Sequence, residues 1–171
     1  MSAVLLRADR APLRMVPMTH HSLEAVLKIE QAAYAFPWSA GNFIDSLAAS
    51  HVCQLLCDAN GRVLGYFVVL PGYEEMHLLN ITVAPGEQGR GLGRSLLETL
   101  ARTCRSWAAR QLWLEVRPSN QRAMRVYERF GFEAKGVRRG YYPSALGKRE
   151  DAIVMCLKIG VAAEGASDAL E

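Results

Sequence analysis

Three places in this chain carry residue types that can do chemistry. The first is Gln88-Gly89-Arg90-Gly91-Leu92-Gly93, set between an apolar, β-branched run ending at Val83 and a helical pattern that restarts after Gly93. The start of a helix offers unpaired backbone N–H groups and the positive end of its dipole, which suits a phosphate. Glycines let that backbone come close without a Cβ in the way. No Gly-Lys-Ser/Thr follows, so this is not a nucleotide P-loop, and the G-x-G-x-G spacing differs from the G-x-G-x-x-G of a dinucleotide site. By itself the same turn also fits a plain strand–helix connector. The second place is Glu115, flanked by Trp113, Leu114 and Val116. A carboxylate in such a strand is costly unless it is paired, for example with Arg117 or another basic residue, or put to use. The third is Glu75 and His77, on the strand that leads into the glycine turn; an imidazole, with an unperturbed pKa of about 6.5, is a suitable general base.

These residues need a scaffold to hold them. Leu13 to Met18 alternates loosely and predicts a first strand. Thr19 is placed to cap a helix over roughly 20–34, where Leu23, Val26, Leu27 and Ile29 form an apolar stripe. Phe36-Pro37-Trp38-Ser39 interrupts that pattern, and Ser39 can cap a short helix carrying Phe43, Ile44 and Leu47. Val52 to Cys57 reads as a strand, Asn60-Gly61 as a tight turn, and Val63 to Leu70 as the partner strand. Pro71-Gly72 then turns the chain into a strand from Glu75 to Val83. The helix after the glycine turn runs to about Trp107, with Leu92, Leu96, Leu97 and Leu100 on one face. Leu112 to Val116 is a strand; Ser119-Asn120 caps a helix from Gln121 to Phe130, which Gly131 closes. A strand around Val137, a loop from Gly140 to Gly147 and a last strand from Ala152 to Ile159 complete the order β-α-α-β-β-β-α-β-α-β-β. That order predicts one α/β (α+β) domain over residues 13–159, with about four helices on the two faces of a sheet of six or seven strands. Flexible segments are expected at 1–12 and, in a small-residue acidic tail, at 160–171.

Composition narrows the classes. At 171 residues and 18.9 kDa, with half the residues hydrophobic and 22% charged, the chain suits a single globular domain with a substantial core. A net charge of +3 without a dense basic run gives no sign of nucleic-acid binding. No apolar stretch approaches the ~18 residues of a membrane span. Ala3 to Leu6 is too short for a secretory signal, so a cytoplasmic protein is expected. Cys53, Cys57, Cys104 and Cys156 have no ligand-like spacing and read as buried thiols, with neither a metal nor a disulfide expected.

Several motifs now fall into register with a known pattern. The glycine turn resembles the Q/R-x-x-G-x-G/A turn of the GNAT superfamily of N-acetyltransferases. Trp113-Leu114-Glu115-Val116-Arg117, Ser119-Asn120, Ala123, Tyr127 and Gly131-Phe132 resemble a block of one branch, the RimI family. Ala35-Phe36-Pro37-Trp38-Ser39 is similar to that branch's early loop. Arg138-Arg139, Tyr141-Tyr142-Pro143 and Arg149-Glu150-Asp151-Ala152 are similar to its late hairpin, except that Lys148 replaces the glycine before Arg149 and Gly147 stands one place earlier. The resemblance covers about residues 13–158. It implies the GNAT fold, with a mixed, mostly antiparallel sheet, and acetyl-coenzyme A as co-substrate. It also implies, as acceptor, the N-terminal alanine of small-subunit ribosomal protein eighteen. A monomer without membrane, nucleic-acid or metal partners is expected.

The resemblance assigns roles residue by residue. The backbone of Gly89, Arg90, Gly91, Leu92, Gly93 and Arg94 would cradle the pyrophosphate. The Arg90 and Arg94 side chains either add charge there or simply face solvent. Ile81, Thr82 and Val83 would pair with the pantetheine arm while Ile81 and Val83 also serve the core. Asn120 either caps its helix or bonds the cofactor, or does both. Glu115 would be the general base, ranked above Glu75 and His77, and Tyr127 the acid that protonates the leaving thiolate, where a core tyrosine is the plainer fate. Trp38, Tyr141 and Tyr142 would flank the acceptor channel, with Tyr141 favoured for peptide contact. The amine's own chemistry favours an α-amine. Near pH 7 its neutral form costs about 1 kcal/mol, against about 4.6 kcal/mol for lysine. Two alternatives stay open: a relative acetylating lysines or small amines, and a non-catalytic coenzyme A-binding module.

Overall fold

The computed structural model describes residues 12–160 and the backbone of Val4 and Leu5. The strands are β1 (Val4–Leu5), β2 (Leu13–Pro17), β3 (Val52–Cys57), β4 (Val63–Pro71), β5 (Glu75–Val83), β6 (Gln111–Val116), β7 (Glu133–Pro143) and β8 (Arg149–Lys158). The helices are α1 (Leu23–Ala33), α2 (Ala40–Ala48), α3 (Leu92–Ser106) and α4 (Gln121–Phe130). The strands form one sheet in the order β1-β2-β3-β4-β5-β6-β8-β7. Every pairing is antiparallel except β5 with β6, as a helical crossover between them requires.

The sheet separates two cores. Phe67 and Val69 of β4 point to one face, where Leu92, Leu96, Leu97 and Leu100 of α3 cover them. Tyr66 and Val68 point to the other, against Val26 of α1 and Phe43 of α2. Leu96, Leu97 and Leu100 retain at most 1% exposure. Burying each contributes about 1.5–3 kcal/mol, which holds the glycine turn at the head of α3 against the sheet.

Two irregularities of β5 shape the cleft side of the sheet. Val68 pairs with Asn80 but Val69 pairs with Leu78, so Leu79 is a bulge residue. The bulge switches faces: Met76 and Leu78 enter the α3 core, whereas the next inward pair, Asn80 and Thr82, faces α1. The pairing of β5 with β6 also ends at Leu78 and Leu114. Beyond that rung β5 has only β4 beside it, and a cleft opens between β5 and β6.

Two expectations need correction. The segment from Gly140 to Gly147 is not one loop, because β7 continues through Tyr141 and Tyr142 to Pro143, with a bulge between Arg138 and Tyr142. Ladder bonds to β8 continue past that irregularity, so only 144–148 turns; Gly147, at φ +69°, supplies the left-handed position. The last strand starts at Arg149, not Ala152, for the same reason. Within the lead expected to be flexible, Val4 and Leu5 pair with Arg14 and Leu13, which satisfies backbone groups along the β2 edge. The remainder of the lead and the tail from 161 onward lie outside the described residues.

Candidate active site

The head of α3 is built for an anion. Gly89 and Gly91 have φ of +79° and +76°, a region an L side chain rarely enters, and Gly91 is the N-cap. No side chain caps α3, so the N–H groups of its first turn keep their donor capacity. They look into a cleft of about 820 Å³ walled by β5, α3 and α4. Ile81, Thr82, Val83, Gly89, Gly91, Leu92, Gly93, Arg94, Asn120 and Tyr127 all line it. The donors, the glycine cradle and the open strand edge fit a pyrophosphate followed by an extended amide chain.

Not every expected residue is gathered there. Arg90 turns away to an ion pair with Glu87, which Arg62 also holds, and it is not among the cleft residues. Arg94 stays on the cleft while pairing with Glu98 at 3.0 Å. Asn120 caps α4, its Oδ1 accepting from the Ala123 N–H at 3.2 Å, and still lines the cleft, so the two readings of it coexist. Trp38 lies outside the cleft: its ring packs 5.1 Å from that of Phe43 and its backbone N–H donates to Glu30.

Glu115 sits just past the last β5–β6 rung, with its side chain 6% exposed. Arg117 is not its partner; that guanidinium pairs with Glu150 at 3.3 Å and lies over the Tyr142 ring at 4.3 Å. Instead His77 Nε2 lies 2.5 Å from Glu115 Oε2, joining two residues that had stood as rivals. Glu75, the third candidate, is exposed at the start of β5. Arg138 brings its Nε within 3.1 Å of Glu115 Oε1, yet no N–H is aligned with that oxygen. Oε1 is therefore a buried carboxylate oxygen beside positive charge with no hydrogen bond to any described residue. Tyr141 and Tyr142 flank this carboxylate, and its charge pushes both phenols further up after burial has raised them.

Tyr127 lines the cleft from α4, packed 5.6 Å from Phe132. Burial pushes its phenol well above the usual range, with the Tyr34 and Tyr142 hydroxyls adding to the shift. Tyr142 thus stands within electrostatic reach of Tyr127 on one side and Glu115 on the other.

Sequence reasoning passed over two features. Tyr34, after α1, lines the cleft and bonds Thr82 Oγ1 at 2.7 Å and Ile81 O at 3.1 Å; burial lifts its phenol to about 12. Behind it lies Glu30, 1% exposed, which accepts from Asn80 at 3.1 Å, from the Trp38 N–H at 2.9 Å and from the Tyr66 hydroxyl. Thr82 in turn donates to Asn80 at 2.8 Å, so one buried network ties α1, the early loop and β4 to the cleft-lining strand. A glutamate within a mostly apolar helical stripe was its only signal. Glu30→Ala removes the acceptor of three donors, two of them buried, so a loss of about 3 kcal/mol is expected, read as a fall in Tm of roughly 6–12 °C.

The glycine turn at the head of α3 thus stands over a split between two parallel strands, β5 and β6. A sequence model described as the acetyltransferase (GNAT) family matches residues 23–132, and the chain belongs to that family. It is 42% identical over 139 residues, 81% of this chain and 93% of the other, to the [ribosomal protein bS18]-alanine N-acetyltransferase of Salmonella typhimurium. Identity to the enzyme of that name from Escherichia coli is 41% over the same shares. The crystal structure of the Escherichia coli ribosomal-protein-alanine N-acetyltransferase superposes with a TM-score of 0.80 at 38% identity, covering 90% of this chain and 97% of that one.

Proposed function

We propose that this enzyme transfers an acetyl group from acetyl-coenzyme A to the α-amino group of an N-terminal alanine, with a ribosomal protein as the acceptor. Its similarity over most of both chains to bS18-alanine N-acetyltransferases supports that acceptor. The observation that carries the chemistry is the buried, unbonded Oε1 of Glu115. An oxygen held out of water without a donor is placed to take a hydrogen bond, and then a proton, from an incoming amine. The thioester of acetyl-coenzyme A supplies the acetyl group. Gly89 to Arg94 would hold its pyrophosphate at the head of α3, and Ile81, Thr82 and Val83 would align its arm. Tyr127 keeps its proton until the thiolate departs and then gives it up. Tyr141 and Tyr142, whose rings pack edge to face, would offer the peptide an aromatic surface, with Phe36 reached through Arg117, which lies over both its ring and that of Tyr142.

Transfer is direct. Cys53, Cys57, Cys104 and Cys156 are all buried and none lines the cleft, and burial raises each thiol above its usual range, so none is placed to carry an acetyl group.

The test compares two peptides by release of coenzyme A thiol. One has a free N-terminal alanine and no lysine; the other has a blocked N-terminus and one internal lysine. Release with the first alone is expected. Release with the second alone would overturn the α-amine assignment, and silence with both, despite bound acetyl-coenzyme A, would overturn the reading that a free N-terminal alanine suffices as acceptor, leaving a narrower acceptor or a non-catalytic module.

A further inference from the structure

We propose that Arg122 and Arg125 of α4 hold the 3′-phosphate of coenzyme A, so that this enzyme selects the phosphorylated carrier over its 3′-dephospho form. The inference rests on acetyl-coenzyme A as the co-substrate and adds which group of that molecule the α4 side of the cleft recognises.

The charge on the cleft exceeds what a pyrophosphate calls for. Among the described residues, four arginines line it, Arg94 from α3 and Arg122, Arg125 and Arg129 from α4, and no aspartate or glutamate does. The backbone N–H groups at the head of α3 already suit a pyrophosphate. Arg94 is paired with Glu98 at 3.0 Å. Arg122, Arg125 and Arg129 are exposed, and none of them forms an ion pair with a described residue. Their positive charge is left over after the glycine turn has been accounted for.

Two of the three are placed against the electrostatics of their own helix. A cation near a helix N-terminus meets the positive end of the dipole. α4 has no acidic residue in its first turn, where Arg122 stands, and Arg125 follows one turn on. The spacings of three and four also put Arg122, Arg125 and Arg129 on one face, where like charges repel. Arg129 has an ordinary explanation, since it lies in the last turn and complements the negative end of the dipole. Arg122 and Arg125 have none within the fold. A phosphate in front of them turns both repulsions into attraction.

The geometry suits a second phosphate beside the first. Arg122 Nη1 donates to Gln88 Oε1 at 3.0 Å, and Gln88 Nε2 donates to Val83 O at 3.2 Å, which ties the guanidinium to the end of β5. Its Nη2 lies 3.9 Å from where a Cβ on Gly89 would stand, so Arg122 overhangs the glycine turn. Arg125 is three residues further along α4, ~4.5 Å on the axis at the helical rise. In coenzyme A the 3′-phosphate and the 5′-diphosphate hang from one ribose. A diphosphate on the glycine turn therefore leaves the 3′-phosphate about one helix turn away, ~5 Å. A guanidinium presents paired N–H donors that match two phosphate oxygens at once.

Calorimetric binding of coenzyme A and of 3′-dephospho-coenzyme A tests this without turnover. The wild type is expected to bind coenzyme A about 10- to 30-fold more tightly at low salt. That preference should shrink as salt rises, because the arginines are exposed. Arg125→Gln should cut it to about threefold, and Arg122→Gln/Arg125→Gln should bring it near unity, whereas Arg129→Gln should keep the wild-type ratio. All three positions are exposed on α4, so the variants should fold as the wild type does. Equal affinity of the wild type for the two ligands would overturn the proposal while leaving acetyl-coenzyme A as the co-substrate. An undiminished ratio in the double variant, or its loss in Arg129→Gln alone, would overturn the assignment to Arg122 and Arg125. Binding of neither ligand would overturn the cofactor reading and the proposal together.

Discussion

Glu115→Gln is expected to lower kcat by about 10²–10⁴-fold while acetyl-coenzyme A binds as tightly as to the wild type. Glutamine has the shape of glutamate, and its amide oxygen still accepts from His77, so the packing at the end of β6 survives. What it lacks is a basic lone pair at the unbonded position beside Arg138. The polar partners of Glu115 among the described residues are His77 and Arg138, and neither lines the cleft that would hold the cofactor, so binding measured by calorimetry should be unmoved. Stability should change little, because the variant exchanges a carboxylate beside one guanidinium for an amide in the same place. Turnover within about twofold of wild type would show that Glu115 is a structural partner of His77 and Arg138.

Tyr127→Phe is expected to reduce kcat by on the order of 10²-fold, again without loss of cofactor affinity. Its hydroxyl makes no hydrogen bond to any described residue, so removing it leaves no buried group unpaired. The ring contacts with Phe132 and the core persist in phenylalanine. The sign of the pH effect follows from burial. Desolvation disfavours the phenolate and raises the pKa, so the acid form persists at every pH at which the assay runs. Tyr127 should therefore contribute no alkaline limb below its ordinary value of about 10, and the variant should lose rate by the same factor from pH 6 to 9. An alkaline limb that vanishes in Tyr127→Phe would contradict this assignment.

Much of the glycine-turn side of the cleft was legible because it is local. A strand, a glycine turn and a helix are contiguous from Leu78 to Leu97, and the φ values of Gly89 and Gly91 follow from the turn's own geometry. The N-caps at Ser39 and Asn120 and the close at Gly131 are likewise short-range devices, and each falls where its residue type placed it. The surroundings of Glu115 were less legible. Tyr141 and Tyr142 read as loop residues because glycines stand at 140 and 147, yet cross-strand bonding to β8 outweighs that punctuation. Arg117 was the obvious partner for Glu115 by adjacency, but residues two apart on a strand share a face without being aimed at one another. The partners that won come from 38 residues earlier, in β5, and from Arg138 in β7.

The sequence by itself determined the element order from β2 onward and the glycine turn at the head of α3, since spacing and residue type along each stretch carry these, and motifs spread along the chain pointed to the family; the roles of Glu115 and Tyr127 come from that resemblance and stand as proposals. Only the tertiary structure decided which charges meet. The parallel β5–β6 rung sets His77 against Glu115, and the end of that pairing opens the cleft. The β5 bulge turns Asn80 and Thr82 toward Glu30. Each of these depends on registers between strands far apart in the chain, and a register is a property of the folded sheet that no single stretch contains.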